Sequence, residues 1–324
     1  MILTDFQKGL LNILQSGLPV CQRPYAAIAR ELAVDEERVL NEVAGLREAG
    51  VIRRIRAVID YRALGFAGTL ATVHVPEDKL DTVAGAVNAL EGVSHNYLRK
   101  HYYNMWFTLQ ERSEEAIDAR LAGLSERLGI AFHSLPVVRY FKLDVRFDAA
   151  DGQRILLGNA KPSAAADVVE LTDIEKQFLP LLQREVPVVS EPFDAMAGEP
   201  FSSDRILMLL EGLLEKGVIR RIAGVVNHRK LGFAANAMFV ADVPERAIVE
   251  AGRKLASTGV VSHCYERRTF SGWPYNLFGM MHGRTMDQIH GQVRAFIEEN
   301  SVADYDLLST AAELKKKPVK YDLA

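Results

Sequence analysis

The strongest constraint on this chain is that it carries one pattern twice. Gly50-Val51-Ile52-Arg53-Arg54-Ile55 returns 167 positions later as Gly217-Val218-Ile219-Arg220-Arg221-Ile222, and Leu64-Gly65-Phe66 returns at the same offset as Leu231-Gly232-Phe233. Val93-Ser94-His95 returns as Val261-Ser262-His263 and Thr4-Asp5 as Thr172-Asp173, both 168 positions on. Stacked solenoid repeats have periods of about 20–50 residues, whereas a unit this long can bury its own core. The 324-residue chain is therefore a tandem duplication, with about the length expected of two domains. Residues kept in both copies point to shared chemistry, and residues that differ point to divergence.

Composition excludes several classes. A hydrophobic fraction of 48% with 25% charged residues is ordinary for a soluble globular protein. The net charge of −3 supplies no global positive field to draw the chain to nucleic acid or a membrane. Cys21 and Cys264 lie in different copies without CxxC spacing, which argues against a zinc site and a disulfide framework. Met1 to Ser16 reads as an amphipathic helix interrupted by Asp5, Gln7 and Lys8, not as a signal peptide. No apolar run approaches membrane-spanning length. A reducing cytoplasm, with no membrane partner, is the expected setting.

Each copy divides into two units. In the first, apolar Phe6, Leu10, Leu11 and Leu14 recur at helical spacing, Pro24 opens a second helix, and Asp35-Glu36-Glu37 opens a third that Gly50 closes. A β-branched run, Val51 to Ile59, follows. Three helices and a strand make a winged helix-turn-helix. From Ala67 the rhythm becomes βαββαβ: a strand over 69–75, a helix over 78–90, strands from Val93 and Asn104, a helix over 113–128 and a strand over 137–147. This is the ferredoxin-like order. The expected class is α+β, with domains at 1–62 and 63–148, a linker at 149–170, then 171–229 and 230–324.

A winged helix followed by a small βαββαβ domain resembles the Lrp/AsnC family of transcription regulators, which implies DNA binding and a small-molecule or heme effector. The third helix argues against DNA. Helices that enter a groove bring Lys, Arg, Ser or Asn to their N-terminal end, whereas this one opens with Asp35-Glu36-Glu37. Its counterpart in the second copy reads Asp204-Arg205-Ile206-Leu207-Met208-Leu209-Leu210, too apolar for an exposed reading helix. No specific DNA binding is expected.

Residues that can carry chemistry concentrate in the other unit. Both copies contain His-x-Tyr-x-Arg: His95, Tyr97, Arg99 and His263, Tyr265, Arg267. Strand side chains alternate, so each set lines one face. Plain structural hydrogen bonding is the competing account of each set. Further along lie His101, Tyr103, Asn104 and Trp106 in the first copy, and Arg268, Trp273, Tyr275, Asn276, His282 and Arg284 in the second. The pairs Arg53/Arg54 and Arg220/Arg221 begin the strand after each winged helix. Alternation places Arg53 on the face of Ile55, Ala57 and Ile59, where a cation needs an anion. His74, His133, His228 and His290 lack such company and read as structural or surface residues.

The stretches from His95-Asn96-Tyr97-Leu98-Arg99 to Trp106-Phe107-Thr108-Leu109, and from Trp273-Pro274-Tyr275-Asn276-Leu277 to His282-Gly283-Arg284, resemble the two subunit types of the siroheme decarboxylases. These form a branch of the Lrp/AsnC architecture, and the resemblance covers nearly all of both copies. It implies removal of CO2 from the acetates on carbons 12 and 18 of siroheme, with the two subunits fused as in bacteria that make heme d1. Siroheme is then the partner, and a homo-oligomer or a complex with related decarboxylase subunits is the expected assembly. No cofactor is implied beyond the iron that siroheme itself carries. A flat ring edged with carboxylates calls for aromatic walls and Arg clamps, which the aromatic and Arg residues named above would supply. A near-neutral His would be the acid, with Tyr97 and Tyr265 beside the two repeated histidines. His95, His101, His263 and His282 are equivalent candidates for acid and for axial iron ligand.

Overall fold

Each copy begins at a capping box. Thr4 and Thr172 accept from the backbone N–H of Gln7 and Glu175, whose side chains accept in return from the threonine N–H groups. In the computed structural model, which describes residues 2–143, 146–149, 167–321 and 323, the first copy runs α1 (Asp5–Ser16), α2 (Pro24–Glu31), α3 (Glu36–Glu48) and β1 (Ile52–Ile59). It continues with β2 (Ala67–Val73), α4 (Leu80–Asn88), β3 (Val93–Arg99), β4 (Met105–Glu111), α5 (Glu114–Leu128) and β5 (Phe132–Leu143). The second copy repeats the plan. Its helical unit is α6 (Asp173–Leu182), α7 (Pro192–Met196), α8 (Ser203–Glu215) and β6 (Ile219–Val226), and its second unit is β7 (Ala235–Asp242), α9 (Ile248–Ser257), β8 (Val261–Arg267), β9 (Leu277–Gly283), α10 (Met286–Glu299) and β10 (Asp304–Lys316). The expected element order holds. The linker expected at 149–170 lies for the most part outside the described residues.

The two helical units share one core. Strands β1 and β6 pair with each other in antiparallel fashion, Ala57 opposite Ile222. Leu10, Leu11, Leu14, Ile28 and Val43 of the first copy belong to the same buried cluster as Phe178, Leu210 and Ile222 of the second. Gly224 permits this, because a Cβ there would stand 3.3 Å from Leu14 of α1.

The βαββαβ units are joined more closely still. Each has the antiparallel order expected of the fold, β3-β4-β2-β5 and β8-β9-β7-β10. Strand β5 then pairs with β8, and β10 with β3, so eight strands close into one barrel. Closure leaves this eight-stranded sheet without a free edge. Helices α4 and α5 cover one half from outside and α9 and α10 the other. Trp106, Leu135, Met238, Val240, Trp273, Phe278 and Leu308 form a further buried cluster, contributed by both halves. The halves pack as a pseudo-twofold pair. Past the barrel each copy ties back to the end of its own first helix: Gln15 exchanges two hydrogen bonds of 2.8 Å with the backbone of Phe147, and Gln183 exchanges two, of 2.9 and 2.8 Å, with that of Tyr321.

Candidate active site

The repeated triplets occupy matching rows on β3 and β8. On β3, Asn96 and Leu98 face outward, where Asn96 donates to Asn88 of α4 at 3.0 Å and Leu98 packs into the helix-covered core. His95, Tyr97 and Arg99 take the opposite face. On β8, buried Cys264 donates to the Gly252 carbonyl of α9, which leaves His263, Tyr265 and Arg267 on the other side. The arginines turn out to bridge strands. Arg99 donates to the Leu308 carbonyl at 2.9 Å and the Thr310 hydroxyl at 3.3 Å, and Arg267 to the Leu135 carbonyl at 2.7 Å. Burial pulls Arg99 down to about 10 and lowers Arg267 as well. Each thereby fastens β3 or β8 to the strand of the other half that closes the barrel, while Nε of each has no hydrogen-bond partner among the described residues.

The two histidines are held alike but connected differently. Nδ1 of His95 lies 2.8 Å from the Ser94 hydroxyl, and Nδ1 of His263 lies 3.0 Å from that of Ser262. This leaves Nε2 of each ring for another partner. Ser94 continues to the Thr108 hydroxyl at 2.8 Å, whereas Ser262 continues to Nε2 of His282 at 2.9 Å. His228 follows, its ring 5.3 Å from that of His282, and Phe147 packs against both. Only the second copy therefore has a chain of imidazoles behind its reactive-position histidine.

Cations gather around these rings. Burial lowers His95, His228 and His263 to about 4 and His282 well below its usual value. Lys316 and Arg56 add to the effect on His95, Arg220 and His95 to that on His263, and Lys316 and Arg53 to that on His228. The histidines of the two halves are thus close enough to feel each other's charge. Burial raises half-buried Tyr97 to about 12 and raises Tyr265 too.

The remaining expected residues divide by position. A β-bulge between Ile52 and Arg54 breaks the alternation, so Arg53 and Arg54 are both exposed, contrary to the placement of Arg53 on the apolar face. Arg54 faces Glu185 at 3.4 Å, while Arg53 acts on His228 and Lys316. Arg220 reaches Asp60 at 3.2 Å, and Arg221 follows it on β6, half-buried. His101, Tyr103, Asn104, Trp106, Trp273, Tyr275 and Asn276 lie at the opposite end of the strands. There Asn104 brackets the backbone of Val75 and Asn276 that of Val243, so the repeated Tyr-Asn pair fastens a loop in each half. Trp106 and Trp273, with ring centroids 5.0 Å apart, are packing between the halves, and Tyr275 donates to Asp304. His101 accepts from the Tyr103 N–H and lies 3.7 Å from Asp306, away from the other three candidate histidines. Arg284 is exposed just past β9.

Sequence reading missed five contributors here. Ser94 and Ser262 were signalled, since Val-Ser-His is repeated; His228, Arg56 and Lys316 carried no such mark. It also missed a cleft of about 1020 Å³ beside β5, lined by Arg62, Arg112, Arg139 and Arg253 together with Tyr61 and Tyr140. Its signal was present in part: Arg62 and Arg112 have counterparts in Arg229 and Arg284.

Fold and site together define an Lrp/AsnC-type double module in which both ligand-binding units build one barrel. Residues 63–142 and 230–315 match the AsnC-like ligand-binding domain, and residues 7–53 match the siroheme decarboxylase NirDL-like HTH domain. A siroheme decarboxylase of Hydrogenobacter thermophilus is 38% identical over 98% of this chain and 95% of its own length. The siroheme decarboxylase alpha subunit of Desulfovibrio desulfuricans is 43% identical over 44% of this chain and 83% of its own length. The crystal structure of the siroheme decarboxylase NirDL in complex with an iron-uroporphyrin III analogue is similar at 35% identity, with a TM-score of 0.73 over 98% of this chain and 94% of that one. The chain belongs to the siroheme decarboxylase family, in its fused form.

Proposed function

We propose that this chain removes CO2 from the acetate arms on carbons 12 and 18 of siroheme, giving didecarboxysiroheme in heme d1 or alternative heme biosynthesis. The observation that carries the reading is the meeting of one histidine from each half among cations at one end of the barrel. A ring edged with carboxylates finds its counter-charge in Arg53, Arg56, Arg220 and Lys316. His263 is the proton donor, because Ser262 and His282 stand behind it and can return what it gives. His95, whose serine ends at a threonine, is assigned the axial position on the substrate's iron.

At neutral pH both imidazoles are uncharged, since burial and neighbouring cations hold them at about 4. An arriving polyanion offsets those cations and raises His263 toward neutrality, so substrate arms its own acid. The bond to the carboxyl carbon then breaks and its electron pair flows into the macrocycle, protonated beside the arm. A proton on the exocyclic carbon completes the methyl as the ring proton is returned. Each arm thus exchanges a carboxylate for one proton, and the scheme uses no group beyond the iron that siroheme brings. The two halves supply within one chain what alpha and beta subunits supply in relatives. Free Cys21 and Cys264 fit the cytoplasmic setting proposed for it, and among the described residues no helix is long and apolar enough to cross a membrane.

Anaerobic incubation with siroheme, followed by mass analysis, tests the proposal. Products lighter by one and then two CO2 are expected; unchanged siroheme beside an active relative would refute it.

A further inference from the structure

We propose that His228 is the entry point of a proton relay that recharges His263 through His282 and Ser262. The inference rests on the decarboxylase reading and names the route its protons take. Each arm lost as CO2 consumes one proton, and a ring lying against His263 covers the nitrogen from which the donor gives it. The replacement must then arrive from behind.

Behind His263 the contacts form a line. Its Nδ1 lies 3.0 Å from the Ser262 hydroxyl, which in turn lies 2.9 Å from Nε2 of His282. The remaining contact of that hydroxyl, to the Met280 carbonyl at 3.3 Å, is the longest of the three. Nδ1 of His282 and Nε2 of His228 are both enclosed and have no hydrogen-bond partner among the described residues. The two rings are 5.3 Å apart, a gap that one bridging water spans, and Phe147 packs against both. His282 is buried, whereas His228 is half-buried in the turn between β6 and β7, next to exposed Arg229. The line therefore runs from the reacting end of the barrel toward the surface.

As His263 releases its Nε2 proton, Nδ1 takes the hydroxyl proton of Ser262. Ser262 takes the Nε2 proton of His282, and His282 takes one at Nδ1 from the side of His228, which water resupplies. Each transfer breaks one N–H or O–H bond and forms another, so one solvent proton enters for each that leaves. Burial holds His228 at about 4 and His282 well below its usual value. At neutral pH the carriers therefore pass a proton on without trapping it as a buried charge.

The first copy shows the same place without a relay. The 167-residue offset puts Tyr61 where His228 stands, and the offset of the repeated Tyr-Asn pair (275 − 103 = 172) puts Gln110 where His282 stands. Strand register agrees, with Gln110 opposite Gly68 and His282 opposite Asn236. Gln110 accepts from the Tyr321 hydroxyl at 2.9 Å, and Ser94 is engaged by Thr108, whose counterpart is Met280. One half thus fills this place with satisfied polar groups, while the other leaves two imidazole nitrogens unpaired at a cost in stability. Met280 in place of Thr108 leaves the serine free, and His282 and His228 supply two carriers. Three differences between the copies serve one path.

The test compares turnover and binding of siroheme by the full chain under anaerobic conditions. His282→Gln, which installs the residue the first copy carries there, should lower kcat about tenfold or more and leave Kd within about twofold. His228→Ala should do the same, and in both variants the ratio of kcat in H2O to kcat in D2O should exceed the parent's by about twofold, because proton delivery becomes limiting. Gln110→Ala should leave kcat and Kd within about twofold of the parent. Parent-like kcat in either histidine variant would overturn the relay, as would a slowed variant whose isotope effect equals the parent's or whose Kd rises in step. Those outcomes leave the decarboxylase reading standing, provided that the parent releases CO2 from siroheme. A parent that releases none would overturn that reading as well.

Discussion

At the scale of single residues, the serine-held histidines make separable demands. His263→Ala removes the proposed donor and leaves the cations in place, so kcat should fall at least about a hundredfold with little change in Kd, the range expected for loss of a general acid. Ser262→Ala breaks the link to His282 and should cost about tenfold in kcat, whereas Ser94→Ala, with no imidazole behind it, should cost less. His95→Ala should change the absorption spectrum of the bound ring. The same histidines contribute a pH-dependent part of the stability. Their folded pKa values, about 4 for His95, His228 and His263, lie below the ordinary 6.5. Between those values the unfolded chain binds more protons at these sites, so their contribution to stability is complete above pH 6.5 and falls as pH drops toward 4. Urea midpoints measured across that window should decline steeply in the parent and less in His228→Asn. Arg99→Ala should destabilise by about 2–4 kcal/mol, because it empties a buried site and orphans the carbonyl of Leu308. An Arg99 variant of parent stability and weakened siroheme affinity would instead assign it the clamp role expected from the sequence. Alternation placed the triplets on one strand face from the sequence alone, but a buried Arg that meets a carbonyl and one that meets a substrate carboxylate leave the same mark in a chain.

Among elements, the third helix of each helical unit has the clearest expectation. The N-terminal end of α3 carries Asp35, which caps the Arg38 N–H at 2.7 Å, and Glu36, which pairs with Arg23. α8 exposes Met208 at 71%. Each end offers phosphate a single cation in the first turn, Arg38 over the Phe6 ring and Arg205, and each stands beside acidic neighbours. Fluorescence anisotropy at physiological salt should therefore show no preference for any selected duplex over random DNA; a defined operator bound at nanomolar Kd would contradict this. Helices and strand order were legible because hydrophobic period and glycine stops report local geometry. The bulge at Arg53 was not, since it depends on the partner strand β6. Nor was the choice of edge made by β5 and β10, because a strand's own residues say that it pairs and not with which neighbour.

For the whole molecule, barrel closure predicts that the halves depend on each other. A first half made alone would leave the free edges of β3 and β5 exposed, and the second half those of β8 and β10. Each is expected to aggregate or self-pair. Co-expression of residues 1–149 with 167–324 should instead give a soluble pair with siroheme decarboxylase activity, because the barrel contacts do not require a covalent bridge. Failure of that pair to assemble would show that the tether itself drives closure. The crossing of β5 into the second half has a further consequence, at the level of inheritance. The cleft takes one wall from α5 and the other from α9, so neither copy encodes both of its walls. A symmetric pair of first halves would place Gly85 where Arg253 stands, and a symmetric pair of second halves would place Ala312 where Arg139 stands. With the copies now unlike, neither segment paired with itself would rebuild this cleft.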